Sequence, residues 1–347
     1  MMIQIRLISR IRLIATILAL LVVTVSTAAF AQSKIEPSQR IVLVVDEYKA
    51  IRNFPLIVAE RLGYLRSEKL DVTVVNVRDD IFHAELLADG RADAVMAYYH
   101  HNVVNNSEGR PSKAIVTLGT TPGMKVLVST QAKDRIKTLS DLKGARVLSG
   151  GDGSSKTTLA NALAMKGGLE LNEYVRLPTY GKEKNAQLLK EGKADVLIAP
   201  VPEGDYYESI GVASVWLDLT SLEQTQKALG NAFPSSTVFM ATDRIKAKPE
   251  IAHHLALAFA KSLNYINSHS PEQILELIPA SITGKDRTAY LAMLKQEYGM
   301  FSGNGCMPPS AVLQELTVLK KFNAKYKDVQ VESTYDNEFL KGLASCI

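Results

Sequence analysis

Leu86-Leu87-Ala88-Asp89-Gly90-Arg91-Ala92-Asp93-Ala94-Val95-Met96-Ala97 and Leu188-Leu189-Lys190-Glu191-Gly192-Lys193-Ala194-Asp195-Val196-Leu197-Ile198-Ala199 are two copies of one phrase. Each reads as a helix tail, a glycine stop, a basic residue, Ala-Asp, and then an apolar run with the look of a buried strand. A helix-to-strand unit built twice predicts two similar α/β lobes. Two such lobes leave a cleft between them, a place to hold a small molecule.

Working outward, the chain alternates strands and helices. Arg40–Val45 is a fully apolar strand, and Asn53-Phe54-Pro55 opens a helix with Asn53 as its N-cap candidate and Pro55 in the first turn. Strands over 70–77, 92–97 and 113–118, with a helix over 81–89, predict a mainly parallel sheet covered on both faces. The pattern restarts at Met124: strands over 124–129, 145–148, 175–177, 194–199, 214–219 and 236–241, with helices from Ser154 or Ser155 to about Gly167 and over 184–191. From Pro249 onward the periodicity is helical. No low-complexity linker intervenes, so the lobes are expected to join through strand-like crossings at Gly119–Lys125 and Ala232–Thr237, both candidate hinges. The expected fold class is α/β, two Rossmann-like lobes with a helical C-terminal region. The expected partition is 32–121 for the first part of lobe 1, 122–235 for lobe 2, and 236–347 for the return to lobe 1 and the C-terminal helices.

The first 31 residues read as a targeting segment. Arg6, Arg10 and Arg12 precede an apolar run from Leu13 to Val25, and Ala29 and Ala31 supply small residues for cleavage after Ala31. A membrane anchor is the alternative, but the run is short for a span. Removing 1–31 takes Lys+Arg from 40 to 37 against 36 acidic residues, so the formal charge falls from +4 to +1. The basicity belongs to the leader and gives no support for nucleic-acid binding. The 316 residues left suffice for two domains with real cores. Cys306 and Cys346 are an even pair in an exported chain, open to a disulfide or to two separate thiols.

Several stretches together resemble a known family. Pro55–Leu65 with Glu68 and Leu70-Asp71-Val72 looks like that family's first helix and second strand. The run ending at Asp93, Ile136…Leu139…Asp141-Leu142-Lys143-Gly144-Ala145-Arg146-Val147, Gly151–Thr157 and Gly192–Val196 correspond in order and spacing. They are similar to the type II periplasmic solute-binding proteins of ABC importers, in the nitrate/sulfonate/taurine-like and NMT1/THI5-like group, over about residues 40–270. The resemblance implies a periplasmic monomer whose two lobes close over a small-molecule ligand, which is passed to an ABC permease in the inner membrane. Related enzymes on this fold carry a Cys nucleophile near strand 1 or a Cys-rich iron motif, and neither is present here. An exported enzyme and a receptor feeding a sensor remain the alternatives, with no cofactor and no metal expected.

Candidate ligand residues cluster at strand ends, where α/β sheets bind ligands. Asp46–Phe54 offers Tyr48, Asn53 and Phe54, with Asp46 and Glu47 suited to a cationic or N–H-bearing group. Tyr98, Tyr99 and His100 follow the first copy of the repeat, and their rings suit a planar ligand. Gly150-Gly151-Asp152-Gly153-Ser154-Ser155-Lys156-Thr157 nearly reads as a P-loop, but Ser155 stands where the last glycine belongs. As a glycine-rich turn at a helix start, Gly153, Ser154, Ser155, Lys156 and Thr157 still suit an anionic or polar group. Glu203 follows the second copy, and Thr121 lies near a crossing. Asp93 and Asp195 are expected to brace turns rather than touch ligand. A pyrimidine, an aromatic acid, or a sulfonate or similar anion fits these features.

Overall fold

Gln39-Arg40-Ile41-Val42-Leu43-Val44-Val45 forms β1 and shows how the chain builds its cores. Ile41, Leu43 and Val45 fall on one face and pack with one hydrophobic cluster, while Val44 falls on the other and packs with a second. That is the two-residue period of a strand buried on both sides. The structure is a computed structural model and describes residues 38–77, 80–170, 172–343 and 346. The expected signal peptide over 1–31 lies outside these residues.

Ten strands form two five-stranded sheets. The first takes β1, β2 (Leu70–Asn76), β3 (Ala94–Tyr98), β4 (Ser112–Thr117) and β10 (Ser236–Ala241), in the order β2-β1-β3-β10-β4. The second takes β5 (Met124–Ser129), β6 (Arg146–Leu148), β7 (Val175–Leu177), β8 (Val196–Pro200) and β9 (Ala213–Leu219), in the order β7-β6-β8-β5-β9. The orders match place for place, and the repeated strands β3 and β8 hold the centres. In each sheet one strand, β10 or β5, runs against the other four. Those are the strands the chain enters on arriving from the other sheet.

Helices cover both sheets. On the first, α1 (Phe54–Arg61), α2 (Asp80–Ala88) and α3 (Tyr99–Ser107) alternate with the strands. On the second, α4 (Ser155–Lys166), α5 (Lys182–Lys190), α6 (Val201–Ser209) and α7 (Leu222–Leu229) do the same. After β10 come α8 (Pro249–Ser268), α9 (Arg287–Glu297) and α10 (Pro309–Phe322) with shorter helical turns between them. In α8, Ile251, Leu255, Phe259, Leu263 and Ile266 make one fully buried stripe against the first sheet. α10 serves both sheets: Val312, Leu316 and Leu319 pack in a cluster of the first, Val318 and Phe322 in one of the second. Among the described residues no helix is long and apolar enough to cross a membrane. Cys306 and Cys346 are joined as a disulfide across 40 residues, with Cα atoms 5.5 Å apart.

Both copies of the opening phrase place their aspartate identically. Asp93 N donates to Val42 O at 2.9 Å and its carboxylate accepts from Val42 N at 2.8 Å. Asp195 N donates to Arg146 O at 2.8 Å and its carboxylate accepts from Arg146 N at 2.8 Å. Each aspartate closes a two-bond ring on the neighbouring strand. Arg244 caps the first ring, and Arg146 and Arg135 the second.

The chain passes from sheet to sheet over residues 118–123 and returns over 230–235. The two crossings are bonded to each other: Ser235 N donates to Gly119 O at 3.0 Å and Phe233 N to Thr120 O at 2.9 Å. Residues 300–302 join them, with Thr120 N donating to Met300 O and Ser302 N to Leu118 O. A Cβ on Gly119 would sit 2.2 Å from Ser235 Oγ, so glycine permits this approach.

Burial alone would raise the pKa of Asp195, but the bonds from Arg146 and the charge of Arg135 outweigh it and hold the carboxyl below its ordinary range. Its contribution to stability is therefore complete above about pH 4 and is lost as pH falls through the lowered value. Asp195→Ala should cost about 1–2 kcal/mol at pH 7, because it leaves the Arg146 N–H without its acceptor while the half-exposed Arg135 and Arg146 guanidinium groups turn to water. Urea unfolding measures this, and the gap between variant and wild type should shrink toward pH 3.

Candidate functional site

The carboxyl ends of the parallel strands in the two sheets face one another, and residues from both meet there. From the first sheet, Asp46 follows β1, Tyr98 ends β3 and His100 lies in the first turn of α3. From the second, the Gly150–Ser154 turn joins β6 to α4, and α6 follows β8. His100 Nε2 lies 2.6 Å from Gly153 O. A carbonyl oxygen only accepts, so Nε2 carries the proton. This bond spans the two lobes. Several polar side chains of this part of the fold are shielded from water: His100 is 2% exposed, Lys125 6%, Tyr98 and Glu297 7% and Asp46 8%.

Arg52 organises the first-lobe side. Its guanidinium bonds Asp46 at 2.9 Å and Glu47 at 3.3 Å, and lies over the Tyr98 ring at 5.0 Å. Burial favours a neutral Asp46, but Arg52 and a bond from Asn53 prevail and its pKa is lowered. Burial likewise opposes the charge on Arg52, yet Asp46 and Glu47 hold it firmly cationic. Burial pushes the Tyr98 hydroxyl up to about 12, and it donates to Pro122 O on the first crossing. The His101 ring lies 3.8 Å from that of His100, and burial lowers its pKa to about 4, leaving it neutral near pH 7.

On the second-lobe side, Lys125 of β5 pairs with Asp205 of α6. Gly204 makes this possible inside a helix: a Cβ there would meet Lys125 Cδ at 3.1 Å. Glu297, the last residue of α9, enters from outside both sheets. α9 packs against α6 of one lobe and the turn Ile51–Asn53 of the other. Burial raises Glu297 to about 8; Arg52 and Lys125 pull it down, and Asp205 and Asp218 push it up.

The structure gathers part of the set expected from sequence. Tyr98, His100 and Gly153 meet, and Ser154, Ser155 and Lys156 stand half-buried beside them at the α4 start. Others lie elsewhere. Phe54 is fully buried in the core, its ring 6.2 Å from Tyr290. Tyr99 is equally buried and donates to Thr334 on the far face. Tyr48 turns away to Glu60, at 2.5 Å, and lines a surface cavity of about 470 Å³ with Lys49, Val74 and Asn76. Asn53 does not cap α1: its amide donates to Asp46 and Glu47 O and accepts from Ser236. Thr157 bonds back to Ser149 O at 3.1 Å, and Ser154 does so at 3.2 Å. Thr121 is fully buried on the crossing, and its hydroxyl has no partner among the described residues. Glu203 stays half-buried in the first turn of α6.

The residues that follow the two copies of the repeat, 99–102 and 201–203, are helix starts, because each of these parallel strands feeds directly into its helix. Sequence reading missed Arg52, Lys125, Asp205 and Glu297. Glu297 had a legible signal. It falls on the buried stripe Tyr290, Leu294, Glu297, where helical spacing calls for an apolar residue.

The NMT1/THI5-like family model matches residues 51–274, well over half of the chain. The chain belongs to the NMT1/THI5-like family. No curated relative matches it by sequence. Solved structures share the fold at low identity. A protein of Bordetella bronchiseptica RB50 is 22% identical, with 87% of this chain and 95% of that one covered and a TM-score of 0.71. The periplasmic aliphatic sulphonate-binding protein SsuA of Escherichia coli is 14% identical over 81% and 91%, with a TM-score of 0.63. The periplasmic nitrate-binding protein NrtA of Synechocystis PCC 6803 is 12% identical over 88% and 87%, with a TM-score of 0.61. This NMT1/THI5-like chain therefore has the type II periplasmic binding protein fold, in agreement with the resemblance read from its residues. Among its described residues no group of three or more His, Cys, Asp or Glu is placed to hold a metal ion.

A raised carboxyl pKa has a defined effect on stability. The contribution of Glu297 is complete below about pH 4.5 and is lost as pH rises through about 8. Glu297→Gln should raise the unfolding midpoint at pH 9 and leave it unchanged at pH 4. Thermal melts of both proteins across that range measure this.

Proposed function

We propose that this chain is an exported solute-binding protein, cleaved after Ala31, that captures a small polar or planar organic molecule between its lobes and delivers it to an ABC import permease. Residues 32–121 and 236–347 form one lobe and 122–235 the other. The observation that carries this reading is the His100–Gly153 bond: one lobe touches the other at the strand ends, above two crossings that are bonded to each other. A closed form held by a bond that a ligand can replace or reinforce is what a hinged cleft needs. The family and the fold point the same way.

Within that reading, Tyr98 offers a ring face, His100 a ring N–H, and the α4 start the free amide groups that a helix beginning always leaves. Ser155 and Lys156 extend that end toward the ligand. The ligand should compact the molecule and raise its melting temperature. Small-angle scattering and thermal melts, with whatever solute co-purifies and after its removal by refolding, measure both; an unchanged radius of gyration rules the hinged cleft out. Ser155→Ala should weaken binding about 3- to 10-fold, the loss expected for one hydrogen bond, with no change in melting temperature of the empty protein.

A further inference from the structure

The carboxyl of Glu297 stands apart from those of Asp46, Glu47, Asp205 and Asp218. Asp46 and Glu47 are both bonded to Arg52, Asp205 to Lys125, and Asp218 accepts from Thr220 N and Oγ1. Glu297 is 93% buried by exposure and makes neither a hydrogen bond nor an ion pair among the described residues. A buried carboxyl without partners is costly, and native structures place such groups where something else completes them. Its helix packs against α6 of one lobe and the turn Ile51–Asn53 of the other, and the charges that act on Glu297 come from both: Arg52 on one side, Lys125, Asp205 and Asp218 on the other. The Nε–H of Arg52 is also buried and has no acceptor among the described residues. The cleft side of the fold thus keeps an open acceptor on Glu297 and an open donor on Arg52.

The charge around them decides which ligand chemistry suits them. Five carboxyl groups, Asp46, Glu47, Asp205, Asp218 and Glu297, face two cations, Arg52 and Lys125, and both cations are already paired. A simple anion set against these carboxyl groups would meet more acid than base, a desolvated like-charge contact. A group that donates hydrogen bonds meets an open acceptor.

On the solute-binding reading above, we propose that Glu297 is the specificity-determining carboxyl of the cleft, accepting a hydrogen bond from an N–H or ammonium group of the ligand and rejecting anions that lack one. Glu297 comes from α9 and not from either sheet, so it can touch a ligand held by both lobes at once. Lys156 at the α4 start is left to meet the opposite, polar end of the same molecule.

The test uses the full mature chain and its Glu297→Gln variant with three probes of similar size: benzylammonium, benzamide and benzenesulfonate. Thermal shift and calorimetry read binding. Benzylammonium or benzamide should stabilise the wild type, benzenesulfonate should not, and Glu297→Gln should weaken the bound probe at least 10-fold while melting no lower than wild type when empty. Preferential binding of benzenesulfonate, or undiminished affinity in Glu297→Gln, overturns the proposal and leaves the solute-binding reading standing. If no probe binds, native mass spectrometry of the co-purified solute decides: a solute with an N–H or ammonium group whose retention is lost in Glu297→Gln supports the proposal, and one that lacks such a group, or is retained equally, overturns it. A protein that binds no probe and carries no solute overturns both readings.

Discussion

Everything at the cleft depends on two carboxylates that never reach it. Asp93 and Asp195 each lock a central strand to its neighbour by a pair of bonds, one through the backbone and one through the side chain. That fixes register, and register in a sheet buried on both faces fixes which side chains reach each core. Once β3 is held against β1 and β8 against β6, the residues at their carboxyl ends fall on one line. Arginines close both rings, yet they are drawn from different elements, so the two lobes reached the same lock with different keys.

The cleft is an ionic assembly of low exposure, and its balance is set by who is paired. Arg52 ties Asp46, Glu47 and Tyr98 into one unit, and Lys125 ties β5 to α6. Removing one member of such a pair strands the other in a poorly solvated place, which costs more than the pair itself contributes. These ties hold each lobe's half of the surface rigid before any ligand arrives, which lowers the ordering cost of binding.

The fold was legible because it is periodic. The repeated phrase, the two-residue alternation of the strands and the helical stripe of α8 each obey a local rule, and the matching sheet orders follow from them. The crossings were legible as Gly- and Pro-bearing segments between strands that otherwise follow closely. The site was legible only in part, for a physical reason. Position at a strand end brings a residue near the cleft, but rotamer and helix phase decide whether it enters. Tyr98 and His100 enter; Tyr99, between them, turns into the core because α3 has already begun. Phe54 looked like a ligand ring and serves as a core ring, since apolar surface is worth more buried than presented. Arg52 was within the stretch singled out and went unchosen, because its role comes from two carboxylates at offsets five and six that only the folded turn brings to it.

Helix α10 has a thermodynamic consequence. It contributes side chains to a core of each sheet, so neither core is complete without it. Loss of either lobe's structure exposes apolar surface belonging to the other. The two halves, although built as separate sheets, share buried surface through this helix, which couples the unfolding of one to that of the other.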